Sequence, residues 1–195
     1  MSRHPKMLSR RRLLLTGGAL AGATAAFGWT SRVFASAGAE AGPGAESVRR
    51  LTLENLHTPE VLEVVYRRGD QYVPEALAQF EVLLRDYRTG DRHPIDPRLL
   101  DILYEVAQSS GVDPVFSVIS GYRSPQTNAI LHERSAGVAS RSLHMEGRAI
   151  DVRLTRVNCA DLADKALRMK RGGVGYYRQS DFVHLDTGRV RTWRG

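Results

Sequence analysis

Residues 142–152 read Ser-Leu-His-Met-Glu-Gly-Arg-Ala-Ile-Asp-Val (SLHMEGRAIDV), which sets a carboxylate inside an otherwise apolar run. Side chains of a strand alternate between its two faces. Over residues 148–154, Ile150, Val152 and Leu154 therefore take one face, and Ala149, Asp151 and Arg153 take the other. Asp151 leaves the core side without interrupting the strand. The same alternation over residues 182–186 groups His184 with Phe182 and Asp186, away from Val183 and Leu185. Antiparallel pairing of the two segments would set Asp151 beside His184.

Outward from this pair, the chain divides into short elements. Leu51-Thr-Leu53 and Val61 to Tyr66 flank His57-Thr-Pro-Glu60 and predict an N-terminal hairpin. Pro74 opens a helix with Leu77, Phe80, Leu84 and Tyr87 on one face, which Gly90 ends. Asp96-Pro97 caps a second helix that buries Leu99, Leu103 and Val106 and stops at Gly111. Residues 115–119 predict a strand, and Ser124-Pro125 starts a third helix that reaches about Arg134. A fourth helix runs from the Asn158 cap to Arg171, before Gly172-Gly173. Residues 174–177, 182–186 and 190–193 close the chain as strands. Helices first and strands concentrated late predict an α+β fold: a small antiparallel sheet with helices packed against it.

The first 37 residues have a different character. Ser9-Arg-Arg-Arg-Leu-Leu14 is a twin-arginine pattern, an uncharged stretch from Leu13 to Trp29 follows, and Ala35-Ser-Ala37 offers a small-residue cleavage site. They predict a twin-arginine export signal over 1–37, with delivery to the periplasm. A retained anchor is the alternative reading, at the short end of what spans a bilayer. Residues 38–47 form a Gly/Ala/Pro linker, and 48–195 are one domain.

Six of the 28 Lys and Arg residues and none of the 21 acids lie in the first 37, so the formal charge of +7 falls to +1 beyond them. Basicity thus belongs to the targeting segment and gives no reason to expect a nucleic-acid partner. The single Cys159 has no partner for an internal disulfide and reads as a small buried apolar residue.

His144, Asp151 and His184 together are two imidazoles and a carboxylate, the ligand types of a catalytic zinc that leaves one position open. Any one of them alone is an ordinary structural residue. Three blocks read together say more: Ser120-Gly-Tyr-Arg-Ser124, Ser142-x-His144-x-x-Gly147-x-Ala149-x-Asp151, and Asp181-x-x-His184. Their order resembles the zinc D-Ala-D-Ala carboxypeptidase and dipeptidase family, grouped with lysostaphin and hedgehog domains, and within it the twin-arginine-exported murein endopeptidase branch. The likeness spans residues 48–193.

The resemblance implies His144, Asp151 and His184 as ligands of Zn2+, and Arg123 as the group that holds or polarises a substrate carbonyl. It implies Ser142 as a further substrate contact, although a loop serine bonding its own backbone explains it equally well. Asp181 stands where many members carry glutamate as the general base. Residues three apart in a strand face opposite sides, so Asp181 reaches the site only from the loop before the strand. Asp186 is the competing carboxylate, better suited to orienting a ligand histidine. His57, His93 and His132 read as solvated, and Gly172 to Gly175 as a helix stop and close strand packing. The implied function is hydrolysis of peptidoglycan peptides by an exported protein that is free of the membrane after signal cleavage. A D-Ala-D-Ala carboxypeptidase and a non-catalytic zinc-stabilised wall-binding module are the alternatives.

Overall fold

A computed structural model describes residues 47–195 with the exception of Ala136. The expected signal over 1–37 and the linker, apart from Ser47, lie outside the described residues. No helix among the described residues is long and apolar enough to cross a membrane.

Among the described residues, eight strands and four α-helices follow the order β1 (Val48–Asn55), β2 (Val61–Arg68), β3 (Gln71–Tyr72), α1 (Pro74–Leu83), α2 (Pro97–Ser110), β4 (Val115–Ser120), α3 (Pro125–Arg134), β5 (Ala149–Leu154), α4 (Cys159–Met169), β6 (Gly173–Tyr177), β7 (Phe182–Asp186) and β8 (Arg191–Arg194). A 3-10 turn, Leu143–Glu146, precedes β5. The strands form one sheet in the order β3-β2-β1-β4-β5-β7-β6-β8.

This corrects the expectation of a small antiparallel sheet. The sheet has eight strands and is mixed, with β1 parallel to β4 and β6 parallel to β8. Alternation gives the face of each residue but not the partner of a strand, and parallel partners need long connections that no local signal marks.

Capping explains the helix starts. The Asp96 carboxylate accepts the Arg98 amide at 3.0 Å ahead of Pro97, and Gly111 ends α2 in the left-handed region at φ 67°. Ser124 Oγ accepts the Thr127 amide at 3.2 Å, and Asn158 Oδ1 accepts the Asp161 amide at 2.9 Å. The first helix stops at Leu83, short of the expected Gly90. The reason lies just beyond its end, where buried Asp86 accepts both the amide and the hydroxyl of Ser124, at 2.9 and 2.8 Å, and Leu84 O accepts the Tyr122 amide at 2.8 Å. Tertiary partners thus replace the helical ones. The fourth helix likewise ends at Met169, with Lys170 in the left-handed region.

On one face of the sheet, Ile150, Val152, Val174, Val183 and Leu185 pack with the apolar side of α2 (Leu99, Leu103, Val106) and with Leu162 of α4. Each fully buried leucine or valine contributes about 1.5–3 kcal/mol.

Asp101 of α2, 3% exposed, ties the first strands to this core. It accepts from Arg49 (3.0 Å), Tyr66 (3.0 Å), Arg67 (3.1 Å) and Tyr72 (2.6 Å). Asp101→Ala would leave the hydroxyls of Tyr66 and Tyr72 without their acceptor and reduce Arg49 and Arg67 to their contacts with Glu105 and Asp70, so a loss of about 2–4 kcal/mol is expected. Urea unfolding reads it as a lower midpoint at unchanged slope.

Candidate metal centre

The sheet register assembles the site. Ser120 of β4 pairs with Asp151 of β5, Asp151 with His184 of β7, His184 with Gly175 of β6, and Gly175 with Trp193 of β8. Directly opposed residues share a face, so these five form one row on the side away from Ile150 and Val152. A bulge between Val118 and Ser120 brings Ser120 into the row. Side by side with this row runs a second one, in which Asp186 sits across from Ala149 and Gly173 from Arg191.

His144 arrives from the 3-10 turn rather than the sheet. Ser142 Oγ accepts the His144 amide at 3.4 Å, and the Arg123 amide donates to His144 O at 3.1 Å. Gly147 closes the turn at φ 64°, where a Cβ would meet Pro94 O at 2.0 Å, so only glycine fits.

Three acceptor atoms converge. His144 Nε2 lies 3.2 Å from His184 Nδ1 and 3.3 Å from Asp151 Oδ1, and His184 Nδ1 lies 2.9 Å from the same oxygen. The outer nitrogens are already committed: His144 Nδ1 donates to Gly121 O at 2.7 Å, and His184 Nε2 donates to Asp186 Oδ2 at 3.1 Å. Both inner nitrogens therefore present lone pairs to one point, together with a carboxylate oxygen. Such a triangle is repulsive unless a cation or a proton occupies it. A tetrahedral zinc with bonds of about 2.0–2.1 Å separates its ligands by about 3.3–3.4 Å, close to the observed edges. The residues present fit a divalent metal.

Electrostatics agrees. Burial opposes ionisation of Asp151, yet the charges and hydrogen bonds of His144 and His184 outweigh it and hold the carboxyl well below the usual range. Burial lowers the pKa of His144, against the pull of Asp151. For His184 burial also lowers the pKa, but hydrogen bonds to Asp151 and Asp186 more than compensate and raise it above 6.5. In metal-free protein a proton on His184 takes the place of the cation. Metal binding is thus expected to release about one proton at and below pH 6.5, with apparent affinity rising about tenfold per pH unit until the raised pKa is passed. Calorimetry in two buffers of different ionisation enthalpy reads that proton.

Arg123 holds the other side of Asp151. Its Nη2 donates to Asp151 Oδ2 at 2.7 Å and its Nε to Ser120 Oγ at 2.9 Å. Asp186, 1% exposed, also accepts Gly173 N (3.0 Å), Gly188 N (2.8 Å) and two donors of Arg191 (3.0 and 2.7 Å). Burial raises the pKa of Asp186, but His184 and Arg191 outweigh it and hold the group ionised. With every oxygen engaged, it orients His184.

Around the triangle opens a cleft of about 450 Å³. His144, Asp151, His184, Arg123 and Ser142 all line it, together with Arg141, Tyr177, Ser180 and Trp193. Asp181 does not. It lies in the turn before β7 at φ 50°, with its carboxylate 69% exposed and 3.3 Å from Arg153 Nε. The carboxylate also neighbours Cys159, whose thiol burial pushes up to about 11.

Sequence reasoning placed Ser120 and Gly121 in a motif block without a role for either, and missed the aromatic wall. Trp193 leans on His184 with ring centroids 5.1 Å apart, and donates to Tyr177 Oη at 3.0 Å. A signal for the wall existed: Gly173 and Gly175, two apart on one strand, match Arg191 and Trp193, two apart on its neighbour. A Cβ at Gly175 would meet Trp193 at 2.5 Å, and one at Gly173 would meet Arg191 at 2.3 Å.

A two-histidine, one-carboxylate centre at a sheet face, flanked by an arginine and open to a cleft, is the arrangement of a metal-dependent hydrolase. The family model described as "Peptidoglycan L,D-endopeptidase MepK" matches residues 43–193, and the chain belongs to that family. It is 40% identical to the peptidoglycan L,D-endopeptidase MepK of Escherichia coli strain K12 over 189 residues, covering 95% of this chain and 97% of the relative. The probable peptidoglycan L,D-endopeptidase MepK of Haemophilus influenzae is 40% identical over 148 residues, 75% of this chain and 80% of the relative. No solved structure matches the chain significantly.

Proposed function

We propose that the chain is a zinc-dependent endopeptidase that hydrolyses L,D peptide bonds in peptidoglycan, exported to the periplasm by the twin-arginine segment over residues 1–37. The observation that carries the reading is the convergence of two imidazole nitrogens and a carboxylate oxygen on one point of the cleft, in a chain of this family.

His144, Asp151 and His184 are the metal ligands, and a zinc ion there supplies a Lewis acid and lowers the pKa of a bound water. Gly121 O and Asp186 fix the tautomer of each histidine. Arg123, steadied by Ser120 and Asp151, presents its remaining N–H groups to the cleft, where they hold the scissile carbonyl and the negative charge that develops on it. Ser142 sets the turn that carries His144 and offers its hydroxyl at the cleft edge. The aromatic wall of Trp193, Tyr177 and Phe182 limits water around the reacting bond.

Asp181 is the proton acceptor in this reading. Its neighbour Ser180 already lines the cleft, and its pair with Arg153 is open to solvent at 38% and 69% exposure. Pairs of that kind are worth about 0–1 kcal/mol, so swinging the carboxylate toward the cleft costs little.

The test is digestion of purified peptidoglycan with the zinc-loaded protein, followed by mass analysis of the released fragments. Fragments cut at an L,D bond are expected. Loss of a terminal D-alanine alone would identify a carboxypeptidase instead, and no release from any peptidoglycan would leave a binding module.

A further inference from the structure

We propose that Arg141 selects substrates that carry a free carboxylate beside the scissile bond, an inference that rests on the peptidase reading above. Three arginines line the cleft, and Asp151 is the one acidic residue among its lining residues. Two of the three are neutralised from within. Arg123 is held by Asp151 at 2.7 Å and Arg191 by Asp186 at 2.7 Å. Arg141 has no such partner among the described residues, and its side chain is exposed at the rim.

Its backbone is nonetheless anchored on both sides. On one side, the buried Asn128 of α3 donates to Ala139 O at 3.1 Å and to Ser140 O at 3.3 Å. On the other, Ser142 caps the turn that carries the ligand His144. The backbone of Arg141 is thus held between two anchored points, three residues before the ligand His144. An arginine at this point of the rim offers a planar fork of donors that a carboxylate matches with two parallel hydrogen bonds.

The consequence is a specific pattern of substrate choice. A peptide whose carboxylate next to the scissile bond is free pairs with the one arginine of the cleft that has no partner among the described residues, whereas its amidated form does not. The interaction exists before the reaction begins, so it acts through KM rather than kcat. A pair made by an arginine exposed at the rim corresponds to about 2- to 5-fold in KM.

The experiment uses full-length zinc-loaded protein and two synthetic peptidoglycan peptides that are identical except that this carboxylate is free in one and a carboxamide in the other. Wild-type protein is expected to prefer the free acid by about 2- to 5-fold, through KM. Arg141→Gln is expected to bring that ratio close to one, and Arg141→Lys to restore part of it. If wild type cleaves both peptides and Arg141→Gln keeps the same ratio, the inference is overturned while the peptidase reading stands. If wild type cleaves neither these peptides nor intact peptidoglycan, the peptidase reading falls and takes the inference with it.

Discussion

Asp151→Asn is expected to reduce peptidase activity to background and to lower zinc affinity by well over the roughly 10- to 100-fold that an outer-shell change costs. Asp151 supplies the only anionic donor of the triangle, and it lies within 2.9 and 3.3 Å of both imidazole nitrogens. Asparagine keeps the shape and an oxygen for Arg123 but removes the charge that draws a cation between two neutral rings. The fold should survive this change. Asp151→Ala should not be so mild, because it leaves the guanidinium of Arg123, whose side chain is 13% exposed, without its partner, a loss of about 3–5 kcal/mol. Metal content by mass spectrometry and thermal melts of the two variants separate the effects. A full equivalent of zinc with undiminished activity in Asp151→Asn would exclude Asp151 as a ligand.

Asp181→Asn is expected to lower kcat by about 10²–10⁴-fold while zinc content and melting temperature stay at wild-type values, the signature of a lost proton acceptor. The residue sits outside the cleft in this structure, so the variant tests motion as well as chemistry. Arg153→Ala, which frees the carboxylate from its pair, should leave catalysis intact or raise it. A kcat for Asp181→Asn within about twofold of wild type would remove Asp181 from the reaction. Asp186 would not inherit the role, since both of its oxygens are held by Gly173, Gly188, Arg191 and His184.

The arrangement of Asp151 and His184 was legible because it depends on alternation alone. Once each residue occupies the polar face of its strand, antiparallel pairing brings the two together, and the register Asp151–His184 does so. Helix starts were legible for a similar reason, since Asp96, Ser124 and Asn158 satisfy amide groups within three residues of themselves. What local patterns do not encode is the choice of distant partners. The parallel pairings of β1 with β4 and of β6 with β8, the early end of α1 at Leu83 and the bulge that turns Ser120 toward Arg123 are all decided by contacts between segments far apart in the chain. The same holds for the aromatic wall. Trp193 looks like an ordinary C-terminal residue until the neighbouring Gly175 leaves room for its ring against His184.

The most direct measurement is metal titration of chelator-stripped protein while hydrolysis of purified peptidoglycan is followed by mass analysis of its fragments. Activity is predicted to be absent without metal and to rise in proportion to zinc up to one ion per chain. Hydrolysis by the stripped protein at the loaded rate, or one tightly bound zinc with no cleavage of any peptidoglycan peptide, would contradict a catalytic metal at His144, Asp151 and His184.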